Sequence, residues 1–251
     1  MKIARFSNGS DPRFGIVDGP ELVVLKGHPL AVGYDTTGER IPLKHVKLLA
    51  PTIPSKVICI GKNFADHAAE IGEEVTAEPL IFFKPSSAII GHGEAIVIPP
   101  QSKQVELEAE LTIVIGKLAK NVSEEDSLDY VWGYTIANDV TARDLQFNDG
   151  QWARSKAFDT FCPLGPWIET EFLPDGQVIE SRINGDIKQN VSISKMTHNI
   201  RTMVSYVSKN MTLVPGDIIL TGSPAGISQI KSGDLIECEI EGIGILANSV
   251  I

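Results

Sequence analysis

The sequence predicts a mostly β fold of the α+β class, with a few short helices and a small β module at the N-terminus. Three observations carry that expectation. Short apolar or alternating runs recur along the chain, among them "PLIFFK", "LTIVIGK", "VWGYTIAND", "GDIILTG" and "GDLIECEIEGIGIL", each bounded by Gly, Pro or Asp. Segments with a helical period are scarce. The 251 residues are 43% hydrophobic, enough to bury a sizeable core.

In chain order, "KIARF", "FGIVDG" and "ELVVLKG" read as strands separated by turn residues, and they define the N-terminal module, residues 1–52. The two prolines of "LLAPTIPSK" (48–56) interrupt regular structure and mark the boundary to a larger unit, residues 53–251. That unit reads as mostly antiparallel β. Its helical candidates are "NFADHAAEIG" (63–72), "SEEDSLDYV" (123–131), with Ser123 as N-cap before Glu124 and Glu125, and "NIRTMVSYVSKNM" (199–211).

The formal net charge of −10 would repel a phosphate backbone or an anionic bilayer, which argues against nucleic-acid and membrane partners. Apolar runs such as "LTIVIG" stop far short of the roughly 18 residues that span a membrane. Three cysteines without a C-x-x-C pair, and a start without a signal-peptide core, point to a reducing cytoplasm.

"VELEAELTIVIG" (105–116) places Glu106, Glu108 and Glu110 at alternate positions, hence on one face of a strand. A solvated face is one reading. The other starts from repulsion: same-face carboxylates lie only about 7 Å apart, and a divalent cation would offset their charge. Mg²⁺ and Mn²⁺ take oxygen ligands, often one to three carboxylates. A third acid is then needed, and Asp139, ending "WGYTIAND", stands where a loop could aim it at a neighbouring strand; a turn or capping role is its alternative.

Four motifs in order, "VELEAELTIVIGK", "GYTIANDVTARDLQ", "KAFDTFCPLGP" and "LTGSPAGIS", resemble the fumarylacetoacetate hydrolase family from about residue 53 to the C-terminus. The resemblance implies a mixed β-roll or barrel catalytic domain, a homodimer, and Mg²⁺ or Mn²⁺ held by Glu108, Glu110 and Asp139. Glu106 falls outside that set, as a solvated or supporting neighbour. His67 and Glu70, three apart on one helix face, are implied to form a water-activating pair on a lid hinged between Gly61 and Gly72. Lys156 is implied to meet the substrate's anionic oxygens. Arg143 and Gln146 follow Asp139 by four and seven, on one side if a helical turn begins there, and suit a substrate carboxylate. Thr221 opens "TGSPAG", a turn whose hydroxyl and backbone N–H groups suit a carboxylate; the family more often has Thr where Ser223 stands.

G-x-S-x-G, H-E-x-x-H and G-x-x-x-x-G-K-[ST] are all missing, and Cys162 reads as a buried structural thiol. The expected activity is divalent-metal-dependent cleavage of a C–C bond in a small 2-oxo or 2,4-dioxo acid through a pyruvate enolate, of the acylpyruvate hydrolase or oxaloacetate decarboxylase type. The alternatives are a 2-hydroxyhepta-2,4-diene-1,7-dioate isomerase, the linked 5-oxopent-3-ene-1,2,5-tricarboxylate decarboxylase, and a metal-binding β-rich protein that turns nothing over.

Overall fold

The computed structural model describes residues 1–9 and 11–251. Among them the fold is mostly β, as the apolar runs predict. A long mixed sheet runs in the order Thr36–Pro42, Glu21–Leu25, Arg13–Asp18, Lys2–Ser7, Cys162–Glu169, Val131–Asn138, Ala109–Ile115, Ile218–Leu220, Val57–Gly61, Leu80–Lys84. Its N-terminal strands are continuous with the rest, because Lys2 and Ile3 pair with Glu169 and Ile168. A second sheet, Asp186–Ser192, Val178–Ile183, Leu235–Ile240, Gly244–Ser249, packs over the centre of the first. Leu111, Ile113 and Ile136 from one sheet and Ile179, Ile236 and Ile240 from the other form one apolar cluster. On the opposite face Val57, Cys59, Leu164, Ile218 and Leu220 form another. Every residue of Ala109–Ile115 is therefore buried, which explains a near-continuous apolar run in place of strict alternation.

The helix expected at 63–72 is Ala65–Glu70. The one expected at 199–211 is Ile200–Asn210, capped by Asn199, whose side chain accepts from the Thr202 N–H at 3.0 Å; Met203, Val204 and Val207 face the core. Residues 123–131 depart from expectation: only a 3-10 turn, Ser127–Tyr130, forms before the strand begins at Val131. The Ser123 hydroxyl does accept from the Asp126 N–H, but Ser127 Oγ donates to the Glu124 carbonyl, and such local bonds compete with an α-helical ladder. Two short helices, Arg143–Asp149 and Ala153–Lys156, also lie beside the site. No helix among the described residues is long and apolar enough to cross a membrane.

Candidate metal centre and active site

Strand pairing assembles the acidic cluster. Ala109–Ile115 lies antiparallel to Val131–Asn138 with Ala109 opposite Asn138, so Glu108 and Asp139, one residue beyond each end, meet where the Asp139 N–H donates to the Glu108 carbonyl at 2.8 Å. The strand expected over 105–116 breaks at Glu108; Val105–Leu107 leaves to pair in a small separate sheet. Backbone donors released by the break are met by side chains, the Glu108 N–H by Asn138 Oδ1 at 2.9 Å and the Ala109 N–H by Gln189 Oε1 at 3.1 Å. Glu110 projects from the same strand two residues on. One oxygen from each of Glu108, Glu110 and Asp139 lies within 4.8 Å of the other two, and all three residues are buried.

The solvated-face reading therefore fails for all three glutamates. Glu106 is also only 7% exposed, accepting from Arg143 Nε at 2.8 Å and Gln104 Nε2 at 2.7 Å. Cations surround the cluster. Lys156 Nζ donates to Glu108 Oε2 at 2.8 Å and Asp139 Oδ2 at 2.6 Å, Lys84 Nζ donates to Asp139 Oδ1 at 2.6 Å, and Arg143 Nη2 donates to Glu108 Oε1. Burial opposes the Glu108 charge, but Lys156 and Arg143 outweigh it and hold this carboxyl well below the usual range. Glu110 goes the other way. Burial, then the Asp139 and Glu108 charges, push its carboxyl well above the ordinary value, and its bond from the Gly222 N–H at 2.6 Å offsets only part of that.

That contrast is a fit test for a cation. The donor set is all oxygen, suited to Mg²⁺ or Mn²⁺, and in Glu110 the cluster keeps a carboxyl that is bonded by a backbone N–H and only partly compensated by the Lys156 charge. Each carboxylate oxygen has two lone pairs, so the lysine bonds to Glu108 and Asp139 leave coordinating capacity. The residues fit a divalent ion.

A narrow pocket with about 20 Å³ of free volume opens on this cluster and is also lined by His67, Gln146, Lys62, Phe82 and Trp152. His67 lies on the helix Ala65–Glu70 and is 5% exposed. Its Nδ1 is 3.3 Å from Glu70 Oε2, which leaves Nε2 for the pocket. Glu70 has a second task, accepting from the Gly226 N–H at 3.1 and 3.2 Å, which latches the helix to the 222–227 loop. Both loop glycines are required: φ is +95° at Gly222 and +102° at Gly226, and a Cβ would come within 2.7 Å of Asn63 Cβ and 2.1 Å of the Lys188 carbonyl, respectively.

Fumarylacetoacetate hydrolase, C-terminal, is the family model that matches residues 56–251. The chain belongs to that family. A second model, named for the N-terminal region of Rv2993c-like proteins, matches residues 1–51. Protein Rv2993c of Mycobacterium tuberculosis is 47% identical, covering 100% of this chain and 98% of its own length. A rat protein named mitochondrial oxaloacetate tautomerase Fahd2a is 44% identical over 84% of this chain and 71% of its own. The crystal structure of a 2-hydroxyhepta-2,4-diene-1,7-dioate isomerase from Mycobacterium marinum superposes with a TM-score of 0.93 at 41% identity, covering 100% of this chain and 98% of that one.

Of the site residues expected in this family member, the structure gathers Glu108, Glu110, Asp139, Lys156, His67, Arg143 and Gln146 around one pocket, with Glu70 behind the imidazole. Arg143 and Gln146 do share a helical turn, but it begins at Arg143, and Asp139 precedes it. The Arg143 fork is taken by Glu106, Glu108 and Gln146 Oε1, the last at 2.5 Å. Thr221 Oγ1 donates to the Leu111 carbonyl at 2.9 Å, and Gly222 and Ser223 are the turn residues that line the pocket. Sequence reasoning missed Lys84 and Gln189. A lysine inside "LIFFKP" was a usable signal for the first, since a charge in so apolar a strand needs a buried acid. Gln189 joins the two halves of the site: its Oε1 accepts from Ala109, between the glutamates, while its Nε2 donates to Ser223 Oγ and the Pro224 carbonyl, both at 2.7 Å.

Proposed function

We propose that this protein is a divalent-metal-dependent enzyme that makes and quenches the enol of a small 2-oxo acid, with proton transfer at C3 as its first reaction. The observation that carries this reading is the Glu70-held imidazole of His67, buried in the same small pocket as the three carboxylates. The C3–H bond breaks, its proton passes to His67 Nε2, and the electron pair moves into C2–C3 while the 2-oxo oxygen takes the charge. Return of the proton to that oxygen yields the enol; return to C3 restores the keto acid. Glu70, 3.3 Å from Nδ1, fixes the ring so that Nε2 faces the substrate. Lys156 places a buried ammonium beside the reacting end of the substrate, and the latched helix excludes water. Mg²⁺ or Mn²⁺, held by Glu108, Glu110 and Asp139, would supply Lewis acidity toward the 2-oxo acid's oxygens. The names of the rat and Mycobacterium marinum relatives, a tautomerase and an isomerase, agree with proton transfer.

Cleavage of the C3–C4 bond, as in oxaloacetate decarboxylation or acylpyruvate hydrolysis, is the second reading, and it reaches the same enolate. The dyad favours it only where His67 can activate a water at C4. Three buried free cysteines suit a reducing, cytoplasm-like compartment, and a homodimer is proposed from family membership, to be checked by light scattering. The deciding experiment follows enol–keto interconversion of oxaloacetate by ultraviolet absorbance beside pyruvate release from oxaloacetate and acetylpyruvate, with Mg²⁺ and with Mn²⁺. Tautomerisation should lead, and His67→Ala should slow it by about 10² to 10⁴-fold. Faster pyruvate release would favour C–C cleavage, and metal-stimulated turnover of none of these acids would leave a binding protein.

A further inference from the structure

The cations around the pocket differ in what neutralises them. Lys156 and Arg143 are bound to the buried carboxylates Glu108, Asp139 and Glu106. Lys62 also lines the pocket, but its Nζ pairs with Glu73, whose side chain is 42% exposed and lies outside the lining. Lys62 itself is 13% exposed. It joins the strand Val57–Gly61 to the lid helix at φ 58°, a left-handed conformation that non-glycine residues seldom adopt and that persists where the surroundings enforce it.

We propose that Lys62 recognises the far carboxylate of a 2-oxo diacid, so that the substrate class is a small diacid rather than a 2-oxo acid with a neutral tail. The inference rests on the reading of the pocket as a 2-oxo acid site. With the 2-oxo carboxylate at the acidic cluster, a second carboxylate extends toward the mouth. Besides the acidic cluster, His67, Arg143 and Lys156, the pocket is lined by apolar residues such as Ile71, Phe82 and Trp152, by uncharged residues such as Gln146 and Ser223, and by Lys62. A carboxylate closed in by such walls needs a counter-charge. Arg143 and Lys156 are committed to Glu106, Glu108 and Asp139. Lys62 can exchange partners, because its present partner Glu73 is 42% exposed and returns to water, whereas moving Arg143 or Lys156 would leave a buried carboxylate unpaired. A flexible ammonium with three donors suits that exchange.

Malate and 2-hydroxybutanoate test this directly. They differ by a carboxylate in place of a methyl, and neither has the 2-oxo group on which the proposed reaction depends. Titration calorimetry in the presence of Mn²⁺ should give the wild type a preference for malate of about tenfold or more, the scale of one charge-assisted hydrogen bond. Lys62→Met should bring the two affinities within roughly threefold by weakening malate alone. Lys62→Arg should retain the preference, and Glu73→Gln, which frees the ammonium, should tighten malate. The proposal is overturned if the wild type shows no malate preference, binds neither acid, or keeps its preference in Lys62→Met. A malate preference without turnover of any 2-oxo acid would instead remove the proposed reaction and leave Lys62 as a diacid-binding residue. Turnover with equal KM for diacids and monoacids would do the reverse.

Discussion

Asp139 and Asp217 are both fully buried acids at strand ends, yet their surroundings differ in kind. Asp217 is enclosed by donors: the Ser55 N–H at 3.0 Å, the Ser55 hydroxyl at 2.7 Å, the Lys56 N–H at 3.2 Å, the Val214 N–H at 2.9 Å and the Lys56 ammonium. Four of these five are neutral, and together they fix the loop that feeds Val57–Gly61 to its parallel neighbour Ile218–Leu220. Asp139 accepts at its carboxylate from two lysines and has two other carboxylates within 4.8 Å. A buried acid that only holds the chain together is supplied with donors. One crowded by like charges holds an electrostatic imbalance that an added cation relieves.

Exchanging the two roles by mutation is the sharpest way to break the comparison. Asp217→Ala removes three backbone N–H partners and an ammonium at once. It should cost about 3 to 5 kcal/mol of stability, lowering Tm by roughly 10 °C. Asp139→Asn should cost the fold less, since relief of repulsion with Glu108 and Glu110 offsets the weakened Lys84 and Lys156 contacts, but should cut turnover about a thousandfold, or some 4 kcal/mol. Thermal melts and the oxaloacetate assay on both variants check the pair. If Asp139→Asn melts lower than Asp217→Ala, the distinction is wrong.

Glu110 isolates the imbalance itself. Its carboxyl is pushed up by burial and by two neighbouring acids, so Glu110→Gln should leave the metal-free melt nearly unchanged while abolishing stabilisation by added Mn²⁺. In the wild type that stabilisation should reach about 2.7 kcal/mol when the ion is at roughly a hundred times its dissociation constant. An equal Mn²⁺-induced rise in Tm in the variant would show that Glu110 is not a ligand.

Legibility in the sequence follows the range of the interactions. Alternating glutamates and the apolar runs around them report local geometry, so the β architecture, the helix carrying His67 and the positions of Glu108 and Glu110 were all readable. Partners supplied from far along the chain were not: Lys84 meets Asp139 across 55 positions and Gln189 meets Ala109 across 80. The break at Glu108 was hidden for the same reason, because its donors are satisfied by Asn138 and Gln189 rather than by a neighbouring strand. Arg143 looked free to bind substrate only because its bonds to Glu106 and Glu108 form on folding. At Thr221 the hydroxyl is turned to the Leu111 carbonyl and Gly222 and Ser223 line the pocket, because which member of a turn faces a pocket depends on φ, and the left-handed position falls at Gly222.

Cys238 extends the comparison to a group with neither rich donors nor crowding charges. It is buried in the second sheet opposite Ser181, and burial, with Arg182 and Glu237 adding small opposed effects, pushes its thiol up to about 12. A folded-state value above the unfolded one means that the unfolded chain loses the proton first. The stabilisation is then fully present below the ordinary thiol range and is lost as pH rises from about 9 toward 12. In contrast with the two aspartates, this residue is tolerated because it stays neutral. The penalty for Cys238→Ala, measured by urea unfolding, should shrink by about 1 kcal/mol between pH 7 and pH 9.5. Wild type and variant share every other titrating group, so the difference between the two pH values reports the thiol alone. A penalty that stays constant to within about 0.3 kcal/mol, well below the roughly 1.4 kcal/mol of a single pKa unit, would mean that the sheet opens enough to solvate the thiolate, and burial alone would no longer account for the group.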